Sequence, residues 1–225
     1  MRRMLGTACL ILLATFLTVP AGAATINFDN SVDGGTLSYA GGTAPLVGTN
    51  ILFDTVIVTD APQNNGTYIC SGCVLNFTTG SHAGSFLSTE FWNAGGTFTL
   101  TGSVTGVTGN VTLLSGTFGF GGFVGSFGTG GFTGGASGFD EKDATLLAFF
   151  GLANPFVYTN TEFTASSCTG GGGAAFNCNV AEADLENTGE NQALAATPEP
   201  ATLLLLGTGL VGIGRRIRRS MKSSR

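Results

Sequence analysis

Positive charge is nearly absent from the body of this chain. Of its nine lysines and arginines, eight lie at the two ends, and between Ala24 and Gly214 only Lys142 stands against fourteen carboxylates, a formal charge of −13. So acidic a segment is repelled by nucleic acid and by anionic lipid, which removes both as its partners. Histidine is as scarce, His82 being the only one. The chain body holds no Gly-x-Ser-x-Gly, no His-Glu-x-x-His and no phosphate loop, so the common hydrolase and nucleotide chemistries lack their usual parts. We therefore read the chain as non-enzymatic. A carbohydrate-active enzyme is the alternative, because glycoside hydrolysis needs only two acids at a suitable separation. Glu90 beside Trp92 is its best candidate, set against a core tryptophan next to a surface glutamate.

What is present begins at the ends. Arg2 and Arg3, the apolar stretch Leu5 to Val19 and Ala21-Gly22-Ala23 have the layout of a signal peptide over residues 1–23, with a helical apolar region and cleavage before Ala24. At the other end Thr197-Pro198-Glu199-Pro200 precedes an apolar run from Ala201 to Ile213, followed by Arg215, Arg216, Arg218 and Arg219. As a helix rising about 1.5 Å per residue, that run covers roughly 20 Å of a bilayer core about 30 Å thick. It is a short, transmembrane-like helix. Residues 201–217 reach further if the arginines snorkel, and the positive-inside bias puts those arginines in the cytoplasm. Pro198 and Pro200 lack amide hydrogens and favour extended neighbours, leaving a helix-free strip before the membrane.

This acidic Pro-Glu-Pro element, apolar helix and basic cluster, at 197–219, resemble the PEP-CTERM sorting signal of Gram-negative bacteria. The resemblance implies a sorting site made of Pro198, Glu199, Pro200, Arg215 and Arg216. It implies processing by an exosortase, a membrane-embedded cysteine peptidase, after transient anchoring in the inner membrane. It also implies a cell-surface or extracellular destination, and a structural or adhesive protein associated with exopolysaccharide or biofilm matrix. Similar tails occur on ice-binding proteins, and Thr97, Thr99 and Thr101 would share one strand face, so an ice- or surface-binding role is a further alternative.

The passenger, residues 24–181, has the composition of a β protein, with few charges and much Gly, Thr, Ser, Phe and Val. Short runs bounded by Gly, Asn or Asp predict strands at Thr25 to Phe28, Ile51 to Thr59, Val74 to Thr79, Ser85 to Phe91, Thr97 to Val104 and Asn110 to Phe120. Strict alternation in Thr97-Phe98-Thr99-Leu100-Thr101 turns Phe98 and Leu100 inward. The expected fold is mainly β, an antiparallel β-sandwich or jelly roll. From Gly102 to Gly138, glycine alternates with phenylalanine; aromatic burial favours strands there over a disordered linker. One short helix is expected after Asp140 as N-cap, ending at Gly151. A late hairpin spans Phe156 to Thr164 and Phe176 to Val180, and 182–196 reads as an acidic linker.

Four cysteines remain after export, Cys70, Cys73, Cys168 and Cys178, an even number in a chain bound for an oxidising compartment. Of three possible pairings the local ones, Cys70 with Cys73 and Cys168 with Cys178, are favoured, the latter closed by a turn at Gly170 to Gly173. No cofactor is expected, although Asp29 with Asp33, or Asp140, Glu141 and Asp143, would offer Ca²⁺ its hard oxygen ligands.

Overall fold

In the computed structural model, residues 24–188 are described, apart from 31, 32, 108, 110, 129, 130, 153–157 and 172. Long runs of alternating buried and exposed residues build the strands. They are β1 (Thr25–Asp29), β2 (Thr36–Tyr39), β3 (Pro45–Thr59), β4 (Gly66–Phe86), β5 (Thr89–Trp92), β6 (Gly96–Val104), β7 (Val111–Phe127), β8 (Gly131–Lys142), β9 (Tyr158–Gly170) and β10 (Phe176–Thr188), with one helix, α1 (Ala144–Phe150), between β8 and β9. The mainly β, antiparallel class with one short helix is what the composition predicts.

The ten strands form one sheet, and its pairings close into a ring. β1 pairs with β3 near one end of β3 and β2 pairs with the same strand near its other end; both also pair with β10. They share one position in the ring. β5 and β6 likewise share the position between β4 and β7. Around the ring β3 meets β4, β7 meets β8, β8 meets β9 and β9 meets β10, all antiparallel. The fold is thus an up-and-down barrel rather than the expected two-sheet sandwich or jelly roll. Each element pairs with the next around the ring, so no Greek-key crossover carries the chain to a second sheet. Register shifts between β3 and β4, β4 and β6, and β7 and β8 bend the long strands round the closure.

Side chains fill the interior. Phe77 on β4 lies 5.2 Å from Phe163 on β9, ring centre to ring centre, and Tyr39 on β2 lies 5.6 Å from Trp92 on β5. These strands do not neighbour one another in the ring, so the contacts cross the barrel. Burying each phenylalanine is worth about 1.5–3 kcal/mol, and Phe28, Phe98, Phe123, Phe132, Phe150 and Phe163 are all fully buried. That burial is what orders the glycine-rich stretch. A Cβ on Gly125 would collide with the Phe132 ring and one on Gly48 with the Phe77 ring; at these two positions glycine lets an aromatic ring approach the backbone closely. Outward positions carry Thr, Ser, Asn, Asp and Glu, as at Thr97, Thr99, Asn160 and Glu162. Polar-out and apolar-in is the reverse of a membrane barrel. No helix among the described residues is long and apolar enough to cross a membrane; the signal peptide and 201–217 lie outside the described residues.

Three local expectations change. The helix N-cap is Asp143, whose carboxylate accepts from the amides of Thr145 and Leu146, while Asp140 stays in β8 because its alternation runs on to Lys142. Gly151 ends the helix in the left-handed conformation, φ 68°, as expected. The run Ser85 to Phe91 is two strands, since Phe86 pairs with Thr89 around Leu87 and Ser88. The stretch read as an acidic linker is strand as far as Thr188: Glu182 to Thr188 continue β10, paired on one side with β9 and on the other, from Asp184, with β1. Its alternating Ala183, Leu185 and Asn187 point inward and are buried. Thr25 pairs with Thr188, so the described chain enters and leaves the barrel at one rim.

Candidate functional site

Both disulfides have the local pairing favoured from the sequence. Cys70 bonds to Cys73 inside β4 and Cys168 bonds to Cys178 across the β9–β10 hairpin. Cys70 and Cys73 sit where the β4–β6 register shifts between Ser71 and Val74, and Gly72 there has φ 62°. The sorting residues Pro198, Glu199, Pro200, Arg215 and Arg216 lie outside the described residues.

Two polar constellations sit inside the barrel, one toward each end. Toward the end bearing the β2–β3 and β9–β10 turns, Glu90 is fully buried. Its carboxylate meets His82 Nε2 at 2.9 Å and accepts from the backbone amide of Gly173. His82 Nδ1 lies 3.1 Å from the Gly42 carbonyl oxygen, to which the Tyr39 hydroxyl also donates at 2.6 Å. Burial, then the negative charge of Glu90, push the Tyr39 hydroxyl above the ordinary phenol range. Glu90 thereby ties β4, β5 and two turns together. Trp92 is buried against Tyr39, His82, Phe123 and Phe176. The sequence therefore places Glu90 and Trp92 next to one another correctly, but neither is presented to a sugar: the glutamate is a core residue as much as the tryptophan is. The buried pairing with His82 was invisible in sequence, since it depends on the β4–β5 register that sets His82 opposite Trp92.

Toward the helix end, Lys142 Nζ donates to Asp140 Oδ1 at 2.6 Å, with both side chains fully buried. Burial pushes the Asp140 carboxyl up and the Lys142 ammonium down, each opposed by the partner's charge. Asp140 Oδ2, Thr159 Oγ1 and Asn187 Oδ1 are buried there without hydrogen-bond partners, and Thr159 faces Asn187 across β9 and β10. The alternation Phe132, Gly134, Ala136, Gly138 was the readable signal that Asp140 and Lys142 also face inward.

This geometry disperses the calcium ligands read from sequence. Asp140 points inward to Lys142, Glu141 is exposed on the outer face and Asp143 caps the helix. Asp29 faces Asp184 across β1 and β10. Among the described residues no group of three or more His, Cys, Asp and Glu is placed to hold a metal ion.

The same burial decides the surface charge. Lys142 is the only lysine or arginine among the described residues, and its side chain is inside. The outer face of the barrel therefore carries carboxylates with no lysine or arginine to offset them. Asp29, Glu162, Glu182 and Asp184 line one furrow across β1, β9 and β10. Partial desolvation in the furrow, then the carboxylates of Asp29, Glu186 and Glu162, raise the Asp184 carboxyl above the ordinary range although the residue is on the exposed outer face, against a hydrogen bond with Asn27 that lowers it.

Comparison with curated proteins and with solved structures gives no match for this chain. Residues 196–219 match the PEP-CTERM protein-sorting motif, the stretch whose Pro-Glu-Pro, apolar and arginine parts are legible in the sequence, and the chain is thereby similar, over that tail, to exported proteins sorted by an exosortase.

Proposed function

We propose that the mature chain is a non-enzymatic surface or extracellular protein with a structural or adhesive role in an exopolysaccharide or biofilm matrix, delivered there by exosortase processing. The observation that carries this reading is the sorting motif at 196–219, borne by a barrel whose interior is occupied by its own side chains. Support for a role of the outer face comes from that filling: Phe77, Phe123 and Phe163 stack where a lumenal ligand would sit. An outer face without lysine or arginine supports a polysaccharide partner over nucleic acid.

Fractionation of the producing strain tests this. The mature protein should be recovered with the extracellular polysaccharide fraction and should leave it when the polymer is enzymatically degraded. Recovery wholly in the periplasm or as free secreted protein would end the reading.

A further inference from the structure

Resting on the matrix reading, we propose that the outer face of β7, β8 and β9 is a groove that binds a neutral polysaccharide, with Val124 as its apolar wall, continued beyond the groove by Phe91 on the neighbouring β5, and Ser137, Asn160 and Glu162 as its hydrogen-bonding wall.

The strand register lays out this surface. One row runs straight across the barrel: Phe91 on β5 faces Val124 on β7, Val124 faces Gly135 on β8, and Gly135 faces Glu162 on β9. With strands about 4.8 Å apart, the row from Phe91 to Glu162 is about 14 Å long. Phe91 and Val124 are 38% and 40% exposed, and Phe86, on the same outer face of the β4–β5 hairpin, is 70% exposed. Such a run of exposed apolar side chains marks a contact surface more often than scattered single ones do. Beyond Val124 the surface drops. Gly135 has no side chain, and a Cβ there would collide with the Thr161 carbonyl oxygen, so the dip is fixed by the backbone rather than by a movable side chain.

The strands also open here. Between Phe118 and Phe123 on β7 the pairing with β8 jumps from Gly138 to Ala136. Four residues of β7 thus stand opposite Ser137 alone, and Gly121 and Gly122 take φ 103° and 64° to make the bulge. The result is a groove of about 420 Å³, lined among others by Gly121, Val124, Thr133, Ser137, Asn160 and Glu162. Ser137 Oγ donates to Asn160 Oδ1 at 3.2 Å, which orients the amide on the groove wall. Phe139, 52% exposed, stands two residues beyond Ser137 on the same face of β8.

This mixture fits a sugar chain. A pyranose presents an apolar C–H face, which packs on an aromatic ring, and an edge of hydroxyls, which needs both donors and acceptors. The groove offers hydroxyl, amide and carboxylate groups on one side and apolar surface on the other. An acidic polymer would meet Glu162 and a furrow of further carboxylates with no lysine or arginine to pair with, which excludes a polyanion; within the groove itself Glu162 is the one charged residue among neutral hydroxyl, amide and apolar groups, and that lining fits a neutral chain.

The test uses the mature exported protein in affinity electrophoresis through gels containing hydroxyethylcellulose, dextran, galactomannan or, as the polyanion, alginate. At least one neutral polymer should retard the wild type, and Phe91→Ala and Asn160→Ala should each weaken that retardation about tenfold, the equivalent of 1.4 kcal/mol. Melting curves confirm that both variants are folded; a variant that fails to fold is replaced by Glu162→Gln. No retardation in any neutral gel, retardation equal in wild type and variants, or a preference for alginate would each overturn the proposal. Cosedimentation with deproteinised extracellular polymer from the producing strain separates the two levels. If wild type and variants cosediment equally, or the wild type binds only untreated material, the groove is wrong and the matrix reading stands; if the wild type binds neither the polymer nor untreated extracellular material, both fall.

Discussion

Lys142 shows most sharply how one residue changes meaning inside the fold. Taken as sequence, it is a single cation in an acidic run; in the barrel it is a buried partner for Asp140. Desolvation works against both charges, so the pair is held by mutual attraction more than by any net gain over apolar packing. Lys142→Met should therefore cost about 3–5 kcal/mol by leaving Asp140 buried alone, whereas Asp140→Leu with Lys142→Met should be near neutral or stabilising. Urea unfolding of the three proteins checks this; equal losses in the single and double variants would contradict it. Asp184 supplies the pH dependence. Its folded-state pKa is raised, first by partial desolvation and then by Asp29, Glu186 and Glu162, so its protonated form is the one that folding favours. That contribution is complete below the ordinary carboxylate value of 3.8 and is lost as pH rises through the raised value. Asp184→Asn should raise the melting temperature at neutral pH, and the difference should vanish by about pH 3, where wild type is protonated too.

At the scale of elements, alternation was legible and the turns were less so. Thr97 to Thr101 pointed Phe98 and Leu100 inward correctly, and Gly151 marked the helix end. The β4–β5 turn was missed because Leu87 occupies a left-handed φ of 56° that leucine seldom adopts; neither Gly nor Asn stood there to announce it. The hairpin β9–β10 was expected from its cysteines and from Gly170 to Gly173, yet both strands run on further through their pairing; the extension was hard to read because the apolar alternation past Val180 is thinned to Ala183, Leu185 and Asn187. The Cys168–Cys178 bridge ties the two neighbouring strands of this hairpin together. Replacing both by serine should lower stability by about 2–4 kcal/mol, and the native exported protein should take up no thiol reagent at any of its four cysteines. Stoichiometric labelling of Cys168 and Cys178 would refute the pairing.

For the whole molecule the strongest expectation concerns its ends. If the tail matching the sorting motif is processed as its resemblance implies, intact mass in a host with a matching exosortase should give a species that starts near Ala24 and lacks 201–225. Replacing Pro198, Glu199 and Pro200 together by alanine should leave a larger, inner-membrane-bound precursor. A mature species still carrying Arg215 to Arg219 would instead mean a plain anchor. The sorting motif itself was legible in the sequence, because such a tail is a linear segment: composition, order and length suffice, and no distant residue is needed. The β class was settled the same way, by alternation and side-chain type. Tertiary structure alone decided that the strands close into one ring, since closure depends on β10 returning to β1, two strands at opposite ends of the passenger whose pairing no local pattern encodes. It also set His82 against Glu90 and held Lys142 inside, where it no longer offsets the outer carboxylates: alternation along β8 hints at the inward side of Lys142, but the side is fixed only when the neighbouring strand sets the register.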